Sequence, residues 1–239
     1  MCWILADDPL NRKNLITLHR EHFSFSFVFF PVPLHRGKRQ RLLNFITDLK
    51  HGGGQGIKGG LYKVLEMTGG WELIRDVTVT EDTTSVTLSG LDGDSDVVYL
   101  LLLHYRNPTD KGVCCDIRFN NDSGRNYKGI VMYSDGSKVS TSSRTMSAIG
   151  FVGAINQNVG WGSALIYART GNPRTVLIEV YEPTLRLDHK GWHWTNTSDN
   201  ITSIVLVALS GNKTITKGIG AGTRIILFKM KSPEEIPRH

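Results

Sequence analysis

The sequence predicts an all-β fold, a jelly-roll-like β-sandwich of about 8–10 strands behind an N-terminal extension that contains a short helix. Three observations predict it. Runs rich in β-branched and aromatic residues recur from Trp71 onward, each bounded by Gly, Asp, Asn, Ser or Pro. Several of these runs alternate between apolar and polar positions, the period of a strand with one buried face. No helical period interrupts them and no short internal repeat recurs, which favours a sandwich over a propeller or a β-helix.

The elements follow in chain order. Phe23, Phe25, Phe27 and Phe29 alternate with Ser24, Ser26 and Val28, which reads as a strand ended by Pro31 and Pro33. Residues 39–50 place Leu42, Leu43, Phe45, Ile46 and Leu49 on one helical face, the pattern of a short amphipathic helix. The stretch 51–60, HGGGQGIKGG, holds six glycines in ten residues and reads as a linker. One strand and one short helix bury too little surface to fold alone. Residues 1–66 are therefore expected to pack on the main domain, a neighbouring subunit or a larger assembly. Met67 opens MTGGWELI directly before the strand pattern and is an alternative start, residues 1–66 then being an upstream extension.

In the main domain, residues 67–232, strands are expected at 71–80, 83–89, 97–106, 113–120, 128–134, 147–155, 162–169, 174–182, 201–209 and 222–230, with a tail at 233–239. In the second of these Val86 and Leu88 oppose Ser85 and Thr87. In the eighth Val176, Ile178 and Val180 oppose Thr175, Leu177 and Glu179. The third carries Tyr99-Leu100-Leu101-Leu102-Leu103, apolar on both faces, so it is central in its sheet or covered by a neighbouring subunit. Tyr99, Leu101 and Leu103 are the candidate assembly residues.

Charge is unevenly distributed. Residues 1–66 hold ten Lys/Arg against five Asp/Glu, most of the net charge of +6. The run 35–41, HRGKRQR, supplies phosphate-pairing groups for nucleic acid, a membrane surface or an acidic protein, or it is a solvated arm. No aromatic stacking pattern accompanies it, so nucleic-acid binding is a minor reading. The apolar stretch 23–34, broken by serines and prolines, is too short to span a bilayer and makes a poor signal peptide.

The chemistry that nucleophiles, metals and phosphates need is not spelled out. CxxC spacing, GxxxxGK[ST], HExxH and GxSxG are absent. None of the eight histidines sits in a motif that couples it to a nucleophile and an orienting acid. No catalytic residue and no cofactor are expected. Three polar clusters stand out instead. Asp92, Asp94 and Asp96 alternate in LDGDSD and supply oxygens for Ca²⁺, or they form a hairpin turn; Leu103 stands where an EF-hand needs its Glu. Asn120, Asn121, Asp122 and Tyr127 have the amide, carboxylate and aromatic types that contact a sugar, and they are also an ordinary loop alphabet with a core tyrosine. Trp192 and Trp194 flank His193, so an extended chain puts both rings on one face, as a ligand platform, a packing edge or a lid over the core.

Trp71 leads the first strand, followed by SGLDGDSDVVYLLLLHYRN, DIRFNNDSGRNYKG, GWHWTNTSDNITSIVL and GIGAGTRIILFKM. This order of features resembles the β-rich tail-fibre, receptor-binding and virion surface proteins of tailed phages and related prokaryotic viruses. The closing pair is the most specific part: Trp192, Thr197 and Ile201-Thr202-Ser203-Ile204, then Gly218, Gly220, Gly222, Thr223 and Phe228. The resemblance covers residues 70–230. Residues 185–190 and everything before Met67 depart from it. It implies a non-enzymatic virion component that assembles as a homo-oligomer, a trimer foremost, beside other virion proteins. The alternative from the residues alone is a carbohydrate-binding, lectin-like module, and a virion adhesin that binds a host-surface glycan would be both.

Overall fold

The computed structural model describes residues 3–7, 14–20, 23–29, 70–134, 136–154, 157–182, 186–211 and 213–230. The helix expected at 39–50, the basic run, the glycine-rich stretch, Met67 and the tail lie outside the described residues. The chain divides into two compact units, Met1–Thr68 and Gly69–His239.

In the first unit, β1 (Trp3–Asp7), β2 (Asn14–Arg20) and β3 (Phe23–Phe29) form an antiparallel meander. The phenylalanine-alternating strand occupies the expected residues. It is not alone, however. WILAD pairs with NLITLHR, and that in turn with β3, Arg20 lying opposite Phe23. The expectation of a single strand is corrected to a three-stranded sheet.

The second unit is an antiparallel two-sheet sandwich. The strands are β4 (Trp71–Thr78), β5 (Ser85–Ser89), β6 (Val98–Arg106), β7 (Val113–Phe119), β8 (Tyr127–Ser134), β9 (Val139–Met146), β10 (Ile149–Ala154), β11 (Val159–Tyr167), β12 (Arg174–Glu182), β13 (Arg186–Trp194), β14 (Ser203–Ser210), β15 (Lys213–Thr214) and β16 (Arg224–Met230). Eight strands form the large sheet in the order β4-β16-β6-β11-β12-β13-β8-β9. Five form the small one: β10-β7-β14, with β5 and β15 also paired to β14.

The count exceeds the expected 8–10 strands because polar segments also pair as strands. VSTSSRTM pairs along its whole length with β8 as β9, an edge strand that needs little apolar content. RLDHKGWHW, which joins most of the departure at 185–190 to the Trp192–Trp194 pair, is the interior strand β13 between β12 and β8. The third expected strand is central: β6 lies between β16 and β11.

Strand alternation builds the core. Val176, Ile178 and Val180 point inward from β12, while Leu177 stands outside. From the small sheet, Cys115, Ile117 and Phe119 of β7 and Ile204 and Leu206 of β14 enter the same core. Glycine on β11 permits the close approach of the sheets: a Cβ at Gly162 would lie 2.4 Å from Val152 and 2.9 Å from Phe151 of β10. Tyr99, Leu101 and Leu103 face this core at 0%, 0% and 3% exposure. Their assignment to an assembly surface is therefore corrected: odd positions of β6 point into the chain's own interior, and the outward positions are Leu100, Leu102 and His104.

Candidate functional site: the outer face of the large sheet

The residues singled out from sequence are mostly structural. Asn120 adopts a left-handed backbone (φ 51°) and turns its side chain onto the segment before β14. Its Oδ1 accepts from the Thr202 and Ser203 amides at 2.9 and 3.2 Å, and its Nδ2 donates to the Asn200 carbonyl at 2.7 Å. Asn121 (φ 56°) is exposed at the same turn. Asp122 accepts from the Trp194 indole at 2.7 Å, from Asn126 at 2.9 Å and from the Gly124 amide at 2.8 Å. Partial burial works against its charge, but these hydrogen bonds outweigh that cost and hold its pKa below the usual carboxylate value.

Tyr127 and both tryptophans are buried. The Tyr127 hydroxyl accepts from the Phe119 amide at 3.0 Å and donates to the Asp122 carbonyl at 3.1 Å. Its ring lies parallel to Trp194, and the Arg174 guanidinium covers Trp194 with 5.1 Å to the ring centroid. Trp192 and Trp194 do share one face, but it is the inner one, at 2% and 1% exposure. Of the alternatives the sequence leaves open for Tyr127, Trp192 and Trp194, the structure has core packing, with Asp122 holding the Trp194 indole, and not a ligand platform.

Asp92, Asp94 and Asp96 share one turn but take separate partners. The turn is helical rather than a hairpin: α1 (Gly93–Asp96) is capped by Asp92, which accepts from the Ser95 amide. Asp92 also accepts from Asn200 at 2.8 Å, and hydrogen bonds from Asn200 and Ser95 lower its pKa. Asp94 accepts from the Thr170 amide at 2.7 Å. Asp96 accepts from the Tyr99 hydroxyl at 2.7 Å and pairs with Lys229 at 3.2 Å. Among the described residues no group of three or more His, Cys, Asp or Glu is arranged to hold a metal ion.

A different surface has the shape of a binding face. On the outer side of the large sheet the register places His104 of β6 opposite Trp161 of β11, Trp161 opposite Tyr181 of β12, and Tyr181 opposite Leu187 of β13. Adjacent rings stand at 5.3 Å (His104–Trp161) and 6.3 Å (Trp161–Tyr181), tilted 31° and 36°. Burial, and after it the Arg106 charge, push His104 below the usual imidazole value, so it joins this row as a neutral ring at neutral pH. Two positions along, Glu179 meets His189 at 3.6 Å. Four positions along, about 14 Å at strand rise, Leu177, Gly191 and Ile130 face outward in register. There a groove of about 460 Å³ is lined by residues that include Lys128, Ile130, Ser143, Thr145, Thr175, Gly191 and His193.

Sequence reasoning missed Trp161, Tyr181 and His104, although the signal was present. The alternation that sends Val176, Ile178 and Val180 inward sends Tyr181 outward. Gly160 and Gly162 leave Trp161 as the large side chain of its segment on the opposite face.

No family model matches. No curated protein sequence matches either. Among solved structures the chain is similar to an alginate lyase at TM-score 0.32 and 11% identity, over 69% of this chain and 82% of that one. It is also similar to the Ruminococcus gnavus IT-sialidase CBM40 bound to α2,6-sialyllactose, at TM-score 0.29 and 10% identity, over 69% of this chain and 97% of that one. Likeness at this level transfers no function to the chain. Among the described residues no helix is long and apolar enough to cross a membrane.

Proposed function

We propose that this chain is a non-catalytic recognition subunit whose sandwich binds an extended saccharide across the outer face of the large sheet. The observation that carries this reading is the half-exposed ring row His104–Trp161–Tyr181. Aromatic faces offer flat apolar area to the C–H faces of a pyranose, and rings in register on neighbouring strands extend that area across the sheet. Glu179, His189 and the groove hydroxyls supply polar partners along the same face. The sequence resemblance supports display of such a subunit on a virion surface, where it would hold a host glycan. Glycan-array binding by the wild type, reduced about tenfold by Trp161→Ala at unchanged melting temperature, is the expected result. Binding that survives both Trp161→Ala and Tyr181→Ala would overturn it.

A second reading is favoured by a specific observation. Ile130 and Val139 are 64% and 65% exposed, and Leu177 50%, on the same sheet that carries Met132 and Leu187. Exposed apolar side chains gathered on one sheet face mark contact sites, and a homo-oligomer, the trimer implied by the resemblance, would cover them. Light scattering on the eluting protein tests this: a monomer at all concentrations removes the assembly reading, and a trimer weakened by Leu177→Ser supports it.

A further inference from the structure

The groove over Gly191 has features that neither the ring row nor the fold explains. Gly191 lies in the interior of β13 without a positive φ, and a Cβ built there would meet nothing within 4 Å. Gly129, on the neighbouring strand, is different: its Cβ would lie 2.3 Å from the Trp192 ring, so packing requires glycine there. At Gly191 neither packing nor conformation requires it, and glycine inside a strand weakens the strand. What the missing side chain leaves is bare sheet between Leu177 and Ile130, the local geometry that admits a flat ring against the backbone.

A cation stands beside that bare patch. Lys128 is among the lining residues, no carboxylate is, and Ser143, Thr145 and Thr175 add hydroxyls. His193 stands in register between Thr175 and Lys128, and Lys128 opposite Thr145. Arg125 donates to the Thr145 carbonyl at 3.1 Å and brings another cation to the rim. Of the nearby acids, Asp122 is held by Trp194, and Glu179 lies two positions along the strands from Gly191, 3.6 Å from His189.

We infer that this groove takes an acidic sugar unit, its ring laid on the sheet at Gly191 and its carboxylate received by Lys128. This rests on the saccharide reading of the outer face and names the class of saccharide. A neutral sugar leaves the Lys128 charge unmatched, whereas a uronic or sialic acid matches it while its hydroxyls meet Ser143, Thr145 and Thr175.

Matched neutral, carboxylated and sulfated oligosaccharides, bound to the full chain and to its variants, test the inference. Carboxylated ligands should bind about tenfold more tightly than neutral ones, with the preference shrinking as NaCl rises to about 0.5 M. Lys128→Gln should remove the preference while neutral binding persists. Lys217→Gln, an exposed lysine elsewhere, should leave it intact. Gly191→Val, which introduces a side chain suited to strands, should also remove it at unchanged melting temperature. Equal binding of neutral and carboxylated ligands overturns the acidic-sugar inference and leaves the saccharide reading standing, as does preference for sulfated ligands over carboxylated ones. Absence of binding to any saccharide overturns both.

Discussion

Asp116 should make this sandwich less stable at neutral pH than in mild acid, and replacing it with asparagine should reverse that. The side chain lies on the opposite face of β7 from Cys115 and Ile117, yet it is 2% exposed. Burial raises its pKa from 3.8 to about 6, against the hydrogen bond from the Phe151 amide and the charges of Lys190, Arg118 and Arg144. Below pH ~3 the acid is protonated in both folded and unfolded chains and carries no penalty. As pH rises toward about 6, the unfolded chain releases its proton first, so stability falls. Above that the cost is complete, at about 3 kcal/mol. An asparagine in its place would keep an oxygen for the Phe151 amide, now at 3.1 Å, and never charges. The variant Asp116→Asn should therefore melt higher than the parent at pH ~7, by up to about 6–12 °C at the usual 2–4 °C per kcal/mol for a domain of this size. The difference should vanish below pH ~3. Calorimetry of both proteins across that range decides it. A variant that melts lower at neutral pH, or a difference that does not change with pH, would show that the buried charge is not what costs the fold stability.

Other outcomes follow from the same structure. Leu101→Ala should cost about 2–5 kcal/mol, because it empties core volume, whereas the outward Leu187→Ser should stay within about 0.5 kcal/mol; urea melts of the two variants check this. Asp122→Ala leaves the Trp194 indole without its acceptor and should destabilise by about 1–3 kcal/mol. Because hydrogen bonding holds the Asp122 pKa low, its stabilising contribution is present at neutral pH and is lost as pH falls through the folded value, so the gap between parent and variant should close in acid. Calcium or a chelator should leave the melting temperature unchanged, since Asp92, Asp94 and Asp96 already have separate partners; a calcium-dependent rise would reinstate a cation at α1.

The sequence displayed the inward half of the sandwich well. Val176, Ile178 and Val180, or Val86 and Leu88, carry their burial in their alternation, and β-branched runs located most strands. Strands held by pairing rather than by apolar content were less visible: VSTSSRTM has no buried face to advertise, and RLDHKG hides an interior strand behind charged residues. The outer face was least visible, because its elements come together through register. His104, Trp161 and Tyr181 belong to three segments, and only the pairing of β6, β11 and β12 brings their rings into a row. Asn120, Asp122, Trp192 and Trp194 stood out for their chemistry, but that chemistry serves the fold: Asn120 ties down the segment before β14, and Asp122 holds the Trp194 indole. Gly191 could not be told from Gly129 in sequence, since the difference lies in what surrounds each absent side chain.

Whether the outer face is the binding surface can be read from an NMR titration of the indole N–H signals of the five tryptophans with an oligosaccharide found on the array. A saturable shift of the Trp161 signal is expected, with Trp192 and Trp194 unmoved in the core. Shifts confined to Trp192 and Trp194, or a Trp161 signal that stays fixed while saccharide binds, would place the ligand elsewhere and contradict the assignment.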